Sequence, residues 1–238
     1  MQTVTNAAYV QKRNTIGNYL NFASMALLVV GMVLSFMTSQ LGNLAIWASY
    51  VALIIALLLI NIARPFTRRF GAKWRQDQWL APNMKGLDTR ATLFNFASPK
   101  LPDHVLVAPS GLYLLLPKPN GGKIVFDGSR WSRGSIAGGL FRGIAEGGLG
   151  NPTDEVRRSM ALLADYLRTY GSEELVHGLE GKPVIVFTNP SAQLEVRNSP
   201  IQVVTAKELR ALFRRAKPAL SPEKMDELKA VLGREVSE

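Results

Sequence analysis

The chain contains no cysteine, only two histidines, and no acidic residue before Asp77. Without cysteine there is no disulfide framework, no thiolate metal site and no cysteine nucleophile, which agrees with a reducing cytosol. The two histidines, His104 and His177, are far apart and neither has an Asp/Glu cluster beside it. Their spacing therefore does not argue for a metal site, and none is assigned. No serine lies in a GxSxG elbow, and no GxxxxGK[ST] or GxGxxG follows a strand. Acyl-transfer hydrolysis and a conventional phosphate loop thus have no candidate residues.

What is present lies first at the front of the chain. LNFASMALLVVGMVLSFM, residues 20–37, and LAIWASYVALIIALLLINI, residues 44–62, carry no charge. Each has the length that crosses a hydrocarbon core of ~30 Å as a helix. A signal peptide would need a shorter apolar stretch and a cleavage site, whereas here a second long run follows after only TSQLGN. A pair of soluble core helices would carry a polar face, and these runs lack one. A transmembrane helical hairpin over 20–63 is expected.

The flanks give the orientation. Lys12 and Arg13 precede the first run, Arg64, Arg68, Arg69, Lys73 and Arg75 follow the second, and the connection is uncharged. The positive-inside rule puts both ends in the cytoplasm, making a multi-pass cell-membrane protein with two spans. Residues 1–19 then read as a short cytoplasmic tail, and 64–86 as a basic, aromatic juxtamembrane segment. That segment either lies along the headgroups or packs its aromatics on the domain that follows.

Residues 64–238 hold 26 basic and 18 acidic side chains, an excess of +8. Such a domain is drawn to polyanions, either nucleic acid or the anionic lipid headgroups beside it. Its pattern is α/β. HVLVA (104–108), GLYLLLP (111–117) and GGKIVF (121–126) read as an antiparallel meander. KPVIVFT (182–188) and IQVVT (201–205) read as strands buried on both faces.

Helices are expected from Asn151 to Gly171, with Val156, Met160, Leu163, Leu167 and Tyr170 on one stripe and Asp154 and Glu155 in the first turn. A capping box at Thr205 to Glu208 opens a second helix, and Ser221-Pro222-Glu223 opens the last, within 217–238. GSRWSRGSIAGGLFRGIAEGGLG, residues 128–150, holds eight glycines and reads as a loop with one short amphipathic turn near Ile136 to Ile144.

One constellation bears on chemistry. Asp103-His104 precedes a strand, Pro109-Ser110-Gly111 turns it, Lys118 ends the next strand, and Gly122-Lys123-Ile124 and Trp131 follow. This run resembles the nuclease-related domain (NERD) of the PD-(D/E)xK nuclease-like superfamily, over about Leu87 to Phe213. The resemblance implies a restriction-endonuclease-like fold, a mixed sheet flanked by helices, occupying 87–216. In that family an Asp and a Glu hold Mg²⁺, and a lysine stabilises developing charge. Asp103 and Lys118 match, but Leu116 stands where the metal-binding glutamate belongs. Leucine offers no oxygen ligand.

The family's upstream acid has no clear counterpart, although Asp77 and Asp88 are near. The resemblance therefore implies a membrane-anchored NERD-like domain with Asp103 and Lys118 as vestiges of a catalytic site. Polyanion binding would fall to Lys118, Lys123, Arg130 and Arg133, with no cofactor. Two alternatives stand beside it. One is a partner-binding module at the anionic membrane surface, its protein partner unknown; the other is an active Mg²⁺-dependent nuclease. By residue type alone, Asp103 is also an ordinary turn carboxylate and Lys118 a solvated strand exit.

Overall fold

A computed structural model describes residues 1–37, 40, 42–73, 75–134 and 148–236. The chain divides into two compact units, one made of Met1–Asn6 with Gln76–Glu238 and the other of Ala7–Arg75.

The second unit is an antiparallel pair of long helices, α1 (Ala7–Phe36) and α2 (Asn43–Phe70). Both are long and apolar enough to cross a membrane, and only 11% and 17% of their apolar windows are buried. Core helices of a soluble domain would bury that stripe; here Phe22, Leu44, Trp47 and Leu58 all point outward and exposed. Their shared seam is built from small residues. Val10, Gly17, Ser24 and Gly31 recur every seventh position on α1 and meet Ala45, Ala52, Ala56 and Ala63 of α2. A Cβ at Gly17 would lie 2.8 Å from the Cβ of Phe66, and one at Gly31 would lie 3.3 Å from that of Ala52. Such close backbone approach is how helices pack in apolar surroundings, where hydrophobic exclusion between them is absent.

The helices outrun the uncharged stretches on which the spans of 20–37 and 44–62 rested. At ~1.5 Å per residue each is more than ~40 Å long. The extension has a cause: Tyr9 stacks edge-on against Phe70 at 5.6 Å, and the Arg13 guanidinium lies 5.3 Å from the Tyr9 ring and 6.0 Å from the Phe66 ring. Much of the basic, aromatic stretch after residue 64 is thus the last turns of α2.

The larger unit is mixed α/β. Its six-stranded sheet runs in the order β1 (Gln2–Thr5), β2 (Thr92–Asn95), β3 (His104–Ala108), β4 (Gly111–Lys118), β7 (Gly181–Phe187) and β9 (Gln202–Thr205). β1 is parallel to β2, β2–β3–β4 are antiparallel, and β4, β7 and β9 are parallel. A three-stranded sheet has the order β6 (Trp131–Arg133), β5 (Gly122–Phe126), β8 (Ala192–Val196).

Four further helices complete the unit with one short turn among them: α3 (Asp77–Asn83), α4 (Pro152–Tyr170), the four-residue α5 (Glu173–Val176), α6 (Ala206–Arg215) and α7 (Pro222–Gly233). On one face of the large sheet, Leu80 of α3, Met84 just after it, and Leu209 and Phe213 of α6 pack on Leu93, Leu106, Tyr113, Leu115, Val184 and Val186. On the other, Leu163 and Leu167 of α4 and Leu228 and Leu232 of α7 pack on Phe94, Val105, Val107 and Leu112. The small sheet covers the rest of that face through Ile124, Phe126 and Trp131, which meet Leu114, Ile185 and Phe187. The unit thus takes in the N-terminal strand, α3 and α7, all outside the 87–216 segment.

Two strand expectations are corrected. GGKIVF is not the third strand of a meander, because β5 leaves the hairpin and pairs with β6 and β8; parallel β7 takes the place beside β4. IQVVT is not buried on both faces: β9 is an edge strand, and Gln202 is exposed. The helix signals match the structure. Asn151 caps α4 by accepting from the Asp154 N–H, and the Thr205 N–H donates to Glu208 Oε2 at 2.8 Å.

Candidate functional site

The turn Pro109-Ser110 closes the β3–β4 hairpin in two residues, with Gly111 at φ +141°, in the region that favours glycine. It is buried and structural. The Tyr113 hydroxyl donates to Ser110 Oγ at 3.0 Å, Lys182 Nζ donates to the Ser110 carbonyl at 3.1 Å, and the N–H groups of Ala219 and Leu220 donate to the Pro109 carbonyl.

Asp103 and Lys118 lie toward the opposite end of the hairpin. Asp103 immediately precedes β3, is half-buried, and accepts through its backbone carbonyl from the Phe96 N–H at 2.7 Å. Lys118 ends β4 in the part paired with β7, opposite Phe187. It is not a solvated strand exit. Its side chain is only 10% exposed, and its ammonium donates to Glu155 Oε1 at 2.6 Å, Glu155 Oε2 at 2.7 Å and the Leu149 carbonyl at 3.3 Å. Burial in this position demands such a partner, because an unpaired ammonium would keep its whole desolvation cost. Lys118 is thus buried and ion-paired and not solvated at the surface.

Glu155 comes from the first turn of α4, where its charge also suits the helix N-terminus. The turn is fixed from the small sheet as well, since Trp131 Nε1 donates to Thr153 Oγ1 at 2.8 Å. The sequence signal for Glu155 was only that of a first-turn helix acid. Its pairing with a lysine 37 residues earlier comes from packing α4 across the end of β4.

The other binding candidates are dispersed. Lys123 is ion-paired across β5–β8 with Glu195 at 2.8 Å. Arg133 donates from Nε to the Gly121 carbonyl at 2.9 Å. Arg130 is exposed, and its backbone N–H donates to Asp127 Oδ1 at 2.8 Å. Three N–H and O–H donors from Ser129 and Arg130 hold the Asp127 carboxyl at about 2, well below its ordinary value. The short turn expected at Ile136 to Ile144 lies outside the described residues.

The histidines do not meet as a metal site. His104 is buried, its Nδ1 is 2.8 Å from Asn95 Oδ1, and its ring is edge-on to Phe96 at 5.1 Å. His177 is exposed and ends α5. Of the possible upstream acids, Asp77 is buried in the first turn of α3. Asp88 is paired with Arg90 at 2.7 Å, whose hydrogen bonds lower its carboxyl to about 2. Among the described residues no group of three or more His, Cys, Asp and Glu side chains is arranged to hold a metal ion.

A cleft of about 330 Å³ opens at the carboxyl ends of β7 and β9, between α3 and the start of α6. Trp79, Asn83, Thr188, Asn189, Thr205 and Lys207 line it. Ends of parallel strands are where α/β sheets commonly take ligands. Here two of the lining polar side chains are engaged internally: Thr188 Oγ1 donates to Gln76 Oε1 at 2.8 Å, and Asn189 Nδ2 donates to the Pro119 carbonyl at 3.2 Å.

No family model, no curated protein and no solved structure matches this chain.

Proposed function

We propose that this protein is a cytoplasm-facing, NERD-like α/β domain held on a bilayer by the helical hairpin, without hydrolytic activity, that binds a polyanion. The single observation that carries the anchor is the outward face of α1 and α2, which exposes Phe22, Trp47, Leu58 and their neighbours around a seam of glycine, serine and alanine. In water such a face is unfavourable at ~25 cal/mol per Å²; in lipid it is at home. Strand β1 supports a common side for both ends of the hairpin. Gln2–Thr5 pairs with β2, so the residues before α1 and those after α2 belong to one folded unit, and that unit cannot straddle the bilayer.

Loss of hydrolysis is supported by two features. The Leu116 side chain has no oxygen to offer a cation, and the Lys118 ammonium is ion-paired with Glu155. Polyanion binding is supported by the +8 excess of residues 64–238.

A Mg²⁺-dependent nuclease is the second reading, and one observation favours it. Glu155 brings a carboxylate to the matched lysine from another element, in a family whose chemistry needs a second acid. One assay separates the two. The full chain in lipid nanodiscs is incubated with labelled single- and double-stranded DNA, with Mg²⁺ or EDTA, alongside Asp103→Ala and Glu155→Gln. Retention without cleavage is expected. Cleavage that needs Mg²⁺ and is lost in both variants would establish the nuclease, and neither retention nor cleavage would shift the reading to a partner-binding module.

A further inference from the structure

The charge of the α/β unit is sorted between its two faces. On one face α5 and α7 carry five acidic and two basic residues beside an evenly balanced α4, whereas on the other α6 carries four basic and one acidic and α3 adds Asp77 alone. The one acid of α6, Glu208, is turned back onto the Thr205 N–H as a cap. Ala206, Leu209 and Phe213 face the core, and Lys207, Arg210 and Arg214 follow them one position on, forming an exposed stripe. Lys85 and Lys217, just outside the helices, are exposed as well. Among the described residues none of these five cations makes an ion pair, unlike Arg90, Lys118, Lys123, Arg157, Arg168 and Lys229. Arg210 and Arg214 are like charges one turn apart, an arrangement that weakens a helix unless something outside it supplies the counter-charge.

We infer that the outer face of α6, with Lys207, Arg210 and Arg214 at its centre, docks on the anionic headgroups of the membrane in which the hairpin is embedded. The inference rests on the anchored reading above and names the polyanion. Two observations favour lipid. First, α3 shares a hydrophobic cluster with α6 and is separated from the hairpin unit by Gln76 alone, so this layer is the part of the domain covalently nearest the bilayer after the second span. Second, Trp79 of α3 lines the same cleft as Lys207 and is 49% exposed. An exposed tryptophan beside a lysine is the pairing that settles at the headgroup level, where ring and ammonium each find their own solvent. The acidic elements α5 and α7, on the opposite face of the sheet, are by the same rule turned from the leaflet.

The absence of cysteine makes the test direct. Ala211→Cys, on the exposed side of α6, carries a donor dye in the full chain, reconstituted in nanodiscs of phosphatidylcholine alone or mixed equally with phosphatidylglycerol, with an acceptor on the headgroups. Transfer is expected to be higher in the anionic discs. It should fall to the neutral-disc level in ~1 M salt, where the Debye length is about 3 Å, and in the triple variant Lys207→Glu, Arg210→Glu, Arg214→Glu. The milder pair Arg210→Gln, Arg214→Gln should give part of that loss and covers misfolding of the triple variant. Equal transfer in both discs, or transfer indifferent to these substitutions, overturns the inference. So does binding of oligo-dT to neutral discs that the triple variant abolishes while lipid composition has no effect, which would assign the face to nucleic acid. Failure of the chain to enter even neutral discs is a separate readout, and it would overturn the anchor itself.

Discussion

The ammonium of Lys118 sits 2.6 Å from Glu155 Oε1, joining the end of a central strand to the first turn of the helix that crosses it. The lysine is buried while the glutamate side chain is 32% exposed. Removing one partner of a fully buried pair costs about 3–5 kcal/mol; with a partly wetted carboxylate, Glu155→Gln should cost about 2 kcal/mol. Lys118→Met with Glu155→Leu should recover most of it, since replacing both charges by apolar groups removes the desolvation cost. Urea midpoints of the wild-type chain, Lys118→Met, Glu155→Leu and the double variant in detergent check this. A double variant as unstable as the sum of the singles would mean that the pair is not the source of the loss.

The hairpin seam makes a geometric prediction. Cysteines placed at Gly31 and Ala52, where Cβ atoms would be 3.3 Å apart, should form an intramolecular disulfide on mild oxidation. Gly17→Leu should disturb the same packing at the other end, because Phe66 already occupies that space at 2.8 Å. Peptide mapping of the oxidised protein detects the bond. A mixture of intermolecular links instead would point to two helices that pack with other copies.

Topology is open to labelling in intact cells. Gln2→Cys on β1 and Arg157→Cys on α4 are both exposed positions of one unit. An impermeant maleimide should reach both only after the cells are opened. Reaction at residue 2 alone in intact cells would show that β1 and the rest of the sheet lie on opposite sides, and the shared sheet would be wrong.

Asn6 ties three parts of the domain together. Its side-chain amide donates to the Ala97 carbonyl at 3.2 Å and to the Glu235 carbonyl at 3.1 Å. Asn6→Ala should lower stability by about 1–2 kcal/mol, at ~1 kcal/mol per hydrogen bond. Loss of protection in hydrogen exchange should appear first at β1 and at the end of α7.

Acid should loosen the β5–β6 turn late. The Asp127 carboxyl is held at about 2 by the Ser129 and Arg130 donors, below its value in an unfolded chain. Its contribution is therefore complete above about pH 4 and is lost as pH falls toward 2. A carbon-detected titration of this side chain should show a midpoint well below that of an unstructured aspartate. Asp127→Asn should leave the turn insensitive over that range.

The apolar runs, the basic flanks, the α4 stripe and the capping box at Thr205 are local signals, set by side chains within a few residues of one another, and the sequence by itself determined them. So was the absence of an oxygen ligand at Leu116. Tertiary structure decided what depends on contacts between distant segments. The reach of α1 and α2 beyond the uncharged runs depends on Tyr9 meeting Phe70, and Arg13 meeting Phe66, across the hairpin. The place of β5 depends on a competition for the edge of β4 that β7, buried on both faces, wins. Lys118 reads as solvated from its proline neighbours, and only the crossing of α4 buries it and supplies Glu155. The cationic stripe of α6 was hidden in a chain-wide charge excess until the fold put the acidic helices on the opposite face of the sheet.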